Sequence, residues 1–236
     1  MAAERVQRRL AAILAADVVG FSRMMGEDEE GTLAALTAYL TELIRPCIAE
    51  HRGRIFKTTG DGLLAEFASV VDAVRCSIAF QEGMADRNRE TPGEGRIEFR
   101  IGVNLGDVIL QDDDVFGDGV NIAARLEGLA APGSVVVSGK VHEEVRGKLD
   151  IRFDDLGPQN VKNIAEPVRA FSIHMGAGAA ALADAGQTGK AQAPIEKAIQ
   201  LQPALSIGFC RRRYIGMNDS ALNNLINSLR KAGLPE

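Results

Sequence analysis

The chain has 236 residues, 46% hydrophobic and 25% charged, an ordinary globular composition. Lys and Arg total 27 against 32 Asp and Glu, and the net charge of −5 excludes a global basic field drawing nucleic acid or an anionic membrane. The length suits one domain with an appendage, or two small domains.

Cys47, Cys76 and Cys210 stand far apart without a CxxC pair. They read as buried thiols of a reducing compartment, not as disulfides or a zinc site. The three histidines are equally scattered, which argues against a histidine-based metal site or triad. At the N-terminus, Arg5-Val-Gln-Arg-Arg9 followed by Leu10 to Ala16 has the outline of a signal peptide, but Asp17 breaks the run. No stretch reaches the ~18 uninterrupted apolar residues that a membrane helix requires. The expectation is a soluble, cytoplasmic chain.

Ala11 to Val19 is a near-continuous apolar run, the pattern of a strand buried on both faces. Asp17 within it costs several kcal/mol unless paired, protonated or bound to a cation, or it caps a turn at Gly20. Glu27 to Glu30 form an acidic first turn of a helix. Leu33, Leu36, Leu40, Leu43, Cys47 and Ile48 supply its apolar face, Pro46 predicts a kink or break, and Gly53 stops it. Arg54 to Phe67 then reads as a hairpin turning at Gly60-Asp61-Gly62, with Lys57 inside the first strand. Ser69 caps a second helix whose buried side includes Val70, Val71, Val74, Ile78 and Phe80. Ile97 to Leu110 alternates as a long strand closed by Asp112 to Asp114.

This order of strand, helix, hairpin, helix and strand fits a split βαβ sheet, in which the first strand lies beside the hairpin and Asp17 comes near Asp61. Two such carboxylates do not both ionise cheaply without a cation, and magnesium, completed by phosphate oxygens, resolves the conflict. After Gly117-Asp118-Gly119, a helix sets Asn121 and Arg125 on one face. That pair can position and neutralise a phosphoryl transition state, or serve equally as a helix hydrogen bond and a surface charge.

Asp17-Val-Val-Gly-Phe-Ser22, Lys57-Thr-Thr-Gly-Asp61 and Asp114-Val-Phe-Gly-Asp-Gly-Val-Asn-Ile-Ala-Ala-Arg125 together resemble the catalytic core of class III adenylate cyclases, from about Leu10 to Met175. The resemblance implies an α+β, ferredoxin-like βαββαβ domain working as a head-to-tail homodimer with composite sites. It implies that Asp17 and Asp61 hold two magnesium (or manganese) ions, and that main-chain groups from Val18 to Phe21 touch the metal or the phosphates. Lys57 and Asp114 match the pair that selects adenine, contributed by the opposite protomer. Asn121 matches the residue orienting the ribose, Arg125 the one stabilising the α-phosphate, and Lys162 a lysine holding the triphosphate. Phe116 and Ala124 stand where many relatives carry tryptophan and serine.

The adenine assignment also has a physical reason. Adenine offers an amino donor at its six-position where guanine offers a carbonyl acceptor. Asp114 accepts from that amino group and Lys57 donates to the adjacent ring nitrogen, so guanine meets a mismatch at both. The expected reaction is therefore ATP to 3′,5′-cyclic AMP and pyrophosphate. The alternatives are a guanylate cyclase, or a non-catalytic module of the same fold; the Gly-Gly-Glu-Glu-Phe signature of a diguanylate cyclase is absent from the sequence.

The boundaries expected are a tail at 1–9, the catalytic domain at 10–175 and a helical appendage at 176–236. Ala179 to Ala185 and Ala191 to Leu201, ended by Pro203, resemble the last unit of a tetratricopeptide array. Gly186 to Lys190 lacks the spacing of a phosphate loop. A last amphipathic helix, Leu222 to Lys231, needs a partner for its apolar face: the core, another protomer or another protein.

Overall fold

The computed structural model describes residues 7–89, 91, 95–111, 114–161, 164, 166–174, 227 and 230. The chain divides into two units, Met1–Leu149 with Phe153–Met175, and Asp150–Arg152 with Gly176–Glu236. The tetratricopeptide-like helices and most of the last helix lie outside the described residues, though Asn227 and Arg230 are helical.

The first unit is organised on β1 (Gln7–Val18). It is a central strand, flanked by β3 (Gly62–Phe67) and β4 (Phe99–Gln111), both antiparallel, and its apolar run is buried. β2 (Gly53–Thr58) pairs with β3 on the far side, and the order β2-β3-β1-β4 is the ferredoxin-like core. Past β4 the sheet continues through β6 (Val135–Ser138), parallel to β4, then β8 (Val168–Ile173) and β7 (Phe153–Gln159). A short β5 (Asp114–Phe116) folds back on β4, so Asp114 sits in a strand and not in the closing turn expected for it. The class is α+β.

Between β1 and β2 the single helix expected from the sequence is three. α1 (Phe21–Glu27) follows a left-handed Gly20 (φ 70°). α2 (Glu29–Tyr39) is capped by the Asp28 carboxylate, which accepts from the Gly31 N–H at 3.0 Å, and carries the acidic first turn as expected. A π-helical turn, Leu40–Ile44, then leads into α3 (Arg45–Glu50). Pro46 has no N–H and its ring crowds the carbonyl four residues back; the chain accommodates it by widening, with the Arg45 N–H reaching Leu40 O. Leu36, Cys47 and Ile48 face the core, but Leu33 is 44% exposed. Arg52, not Gly53, takes the left-handed turn after α3 (φ 61°). Gly53 is instead demanded by space, since a Cβ there lies 2.3 Å from the Phe67 ring.

α4 (Val70–Arg89) is capped by Ser69, whose hydroxyl accepts from the Asp72 N–H at 3.3 Å. It packs on β1, β3 and β4, and α5 (Asp118–Leu129) packs on β1 and β4. Strand alternation sends Ala11, Ile13 and Ala15 into a cluster with Val108 and Ala123 on the α5 side. α5 lies unusually close to β4: a Cβ on Gly102 falls 2.2 Å from both Ala123 O and Glu127 N, and one on Gly106 falls 2.9 Å from Gly119 Cα. Backbone cannot yield as a side chain does. Gly102→Ala is therefore expected to destabilise the domain by about 3 kcal/mol, read as a lower urea midpoint with unchanged slope.

Candidate active site

The pairing of β1 sets Asp17 opposite Gly62 on β3 and opposite Arg100 on β4. Asp61 occupies the hairpin turn just before Gly62, closed by the Thr59 N–H donating to Gly62 O at 2.9 Å with Gly60 left-handed. Arg100 donates from Nη2 to Asp17 Oδ2 at 2.9 Å. Its Nε faces Glu127 Oε1, from α5, at 3.1 Å, but without the alignment of a hydrogen bond. Three carboxylates thus share one guanidinium. By contrast Glu66, the buried carboxylate nearby on β3, has two arginines: Arg9 and, at 2.8 Å, Arg54.

Burial and this shortage of positive charge both act on the carboxyl groups. Burial, followed by the charge of Asp17, raises the pKa of Asp61 against the opposing pull of its own backbone hydrogen bond and of Arg100. Burial raises Glu127 to about 7; Arg100 opposes this and the charges of Asp17 and Asp61 add to it. Fully ionised, the group carries a net charge of about −2, and its acceptors are all carboxylate oxygens. That donor set fits a hard divalent cation. In the metal-free protein, Glu127 retains its proton when folded at pH values where the unfolded chain has lost it. Stability on this account falls as pH rises from 4.5 toward 7 and levels above. Glu127→Gln is expected to flatten that fall by about 3 kcal/mol at most, seen in thermal midpoints measured in chelator between pH 4.5 and 8.

A second cluster forms around β2. A bulge between Ile55 and Lys57 sets Lys57 opposite Leu64 instead of Leu63, with Phe56 packed against the α5-side core. Lys57 Nζ lies 3.5 Å from Asp114 Oδ2 and 6.0 Å over the half-exposed Phe116 ring. An ammonium donor and a carboxylate acceptor thus stand side by side beneath an aromatic face. Partly open to solvent, this ion pair adds little stability.

Asn121 and Arg125 project from the exposed side of α5 and make no side-chain hydrogen bond or ion pair among the described residues. The fold therefore brings together Asp17 with Asp61, and Lys57 with Asp114, and leaves Asn121 and Arg125 facing outward. Val18 is buried at the end of β1 and Phe21 half-buried at the start of α1. Lys162 lies outside the described residues. Arg100 and Glu127 were not singled out in the sequence. The one available signal was the alternation of β4, in which Arg100 is the charged residue between Phe99 and Ile101.

The family model for the adenylate and guanylate cyclase catalytic domain matches residues 4–175. The chain belongs to this family. Among relatives of this cyclase domain, "Putative adenylate cyclase 3" of Rhizobium meliloti (strain 1021) is 52% identical over 172 residues, covering 73% of this chain and 29% of that protein. An adenylate cyclase of Streptomyces coelicolor is 34% identical over 142 residues, covering 60% of this chain and 35% of its own length. The chain thus spans about a third of the length of each of these two relatives. Among solved structures, an adenylate/guanylate cyclase/hydrolase from Silicibacter pomeroyi superposes with a TM-score of 0.68 at 47% identity, over 72% of this chain and 98% of that one. Among the described residues, no helix is long and apolar enough to cross a membrane.

Proposed function

We propose that the protein is an adenylate cyclase, converting ATP to 3′,5′-cyclic AMP and pyrophosphate at the interface of a head-to-tail homodimer in the cytoplasm. The observation that carries this reading is the division of the site. Asp17 and Asp61 lie together on one part of the protomer, while Asn121 and Arg125 face away from the sheet with no partner among the described residues. A second copy supplies the missing half of each site.

Asp17 and Asp61 are the residues to hold magnesium or manganese, two ions per site once phosphate oxygens join them, with main-chain groups from Val18 to Phe21 beside metal and phosphates. The bound ions supply the positive charge that acidifies the ribose 3′-hydroxyl and steadies the departing pyrophosphate. Neutralising Asp17 also releases Arg100 from its present ion pair, and that guanidinium then becomes available to a phosphate. From the partner protomer, Asp114 accepts from adenine's amino group and Lys57 donates to its ring nitrogen. Asn121 orients the ribose, Arg125 stabilises the charge developing at the α-phosphate, and Lys162 holds the triphosphate. The 3′-oxygen to α-phosphorus bond forms in line as the bond to the pyrophosphate oxygen breaks, and the hydroxyl proton is lost. The catalytic domain of this scheme ends at residue 175 and begins with β1 at Gln7, so the tail expected at 1–9 gives its last three residues to the sheet; the appendage at 176–236 is proposed to contact a further protein.

The test is product identification with the purified chain, magnesium or manganese, and ATP or GTP offered separately. Cyclic AMP from ATP is the expected result. Cyclic GMP alone overturns the adenine assignment. ATP binding without cyclic product, at concentrations that favour the dimer, makes the chain a non-catalytic module.

A further inference from the structure

The α3–α4 contact brings together three groups that the sequence scatters and that the cyclase reaction does not use. Cys47 on α3 and Cys76 on α4 lie with their sulfurs 3.8 Å apart, both buried and both free thiols. His51, the residue that closes α3, has Nδ1 4.0 Å from Cys47 Sγ and 2.8 Å from Cys47 O. One ligand atom from each of the three falls within 4.8 Å of the others. We propose that Cys47, Cys76 and His51 form a binding site for a soft divalent cation of the zinc class, with solvent filling a fourth position.

The geometry is close to what such an ion requires. Tetrahedral zinc with bonds to sulfur of about 2.3 Å separates two thiolates by about 3.8 Å, the spacing found here. Cys47 and His51 are four residues apart, so one turn at the helix end presents both on the same side. Nδ1 is also the ring nitrogen in contact with the Cys47 carbonyl, so entry of the ion exchanges that hydrogen bond for a bond to the metal. The half-buried ring leaves a route from solvent, while Cys76 is fully enclosed. The Cys76 thiol, and after it His51, bring Cys47 down to about 7 against the effect of burial; the same hydrogen bond, and then burial, push Cys76 up. Both thiol protons leave as the ion enters. Sulfur and imidazole select against magnesium, so this site and the Asp17–Asp61 pair divide soft from hard cations. An ion here fastens the end of α3 to α4, two residues before β2 begins with its Lys57.

The test uses the full-length chain reduced with a phosphine and titrated with Co²⁺ alone. The expected result is a thiolate-to-cobalt charge-transfer band with tetrahedral visible bands, saturating at one such ion per chain, erased by Zn²⁺ and unaffected by excess Mg²⁺. Cys210→Ser is expected to keep the band and Cys76→Ser to lose it. His51→Gln, at a partly exposed helix end, keeps the fold by circular dichroism and weakens Co²⁺ binding by about tenfold or more. Absence of the band in the reduced wild-type chain overturns the proposal. So does a band that survives Cys76→Ser, one that disappears with Cys210→Ser, or one that His51→Gln leaves unchanged.

Discussion

Asp61→Ala is expected to lower cyclic-nucleotide formation about a thousandfold, the several kcal/mol that a bound metal contributes to charge stabilisation. The fold survives, because burial and the Asp17 charge already make an ionised Asp61 unfavourable in the metal-free protein. Its thermal midpoint in chelator should match or exceed that of the wild type at neutral pH. Arg125→Ala, on the exposed face of α5, is expected to cost activity by about two to three orders of magnitude. The informative experiment mixes the two inactive variants. In a two-fold dimer with composite sites, half of the re-equilibrated dimers are mixed, each with one intact site and one doubly damaged. The mixture recovers about a quarter of wild-type turnover. If each protomer carried its own complete site, mixing would recover nothing. Turnover that survives Asp61→Ala would show that the hairpin turn is not where the metal is held.

Lys57→Glu combined with Asp114→Asn is expected to reduce kcat/KM for ATP by about a hundredfold to a thousandfold, since each base-reading contact is worth roughly 1–3 kcal/mol. GTP use should rise far less than ATP use falls. Refusing the wrong base takes one misplaced acceptor, whereas accepting a new one takes donors and acceptors held at fixed positions. The single changes separate the contributions: Lys57→Glu places two carboxylates where Lys57 and Asp114 now stand 3.5 Å apart. Paired rate measurements on ATP and GTP check this, and unchanged ATP kinetics in the double variant would remove the pair from base recognition.

The central sheet was legible because Ala11 to Val18 of β1 is an apolar run interrupted only by Asp17, the pattern of a strand buried on both faces. The hairpin was legible because Gly60-Asp61-Gly62 falls between two apolar strands. Pro46 was legible as a disturbance but not as a π turn, since the choice between kinking and widening depends on how α2 and α3 pack. Arg100 and Glu127 are illegible in the sequence for a different reason. Arg100 meets Asp17 across 83 positions of sequence through the β1–β4 register, and Glu127 joins them through the height of α5 above β4. Neither relation has a local signature. The Cys47–Cys76 contact spans 29 positions across two helices and breaks the rule that closely spaced cysteines announce metal sites. Gly53 fits a helix stop by residue type, but the space beside Phe67 is what requires it.

The glycine contacts between β4 and α5 carry a consequence for control. With Gly102 and Gly106 seating the helix directly on backbone, α5 cannot slide or tilt against the strands without collision. The carboxylates around Arg100 and the Asn121–Arg125 face of α5 are therefore held in fixed relation, since Glu127 of the first group and both residues of the second ride on the same seated helix. The seat of α5 on β4 is thus a poor place to switch a shared site on or off. In a dimer of these protomers the more readily adjusted quantity is the relative position of the two, and an input that speeds or slows the reaction is expected to act there.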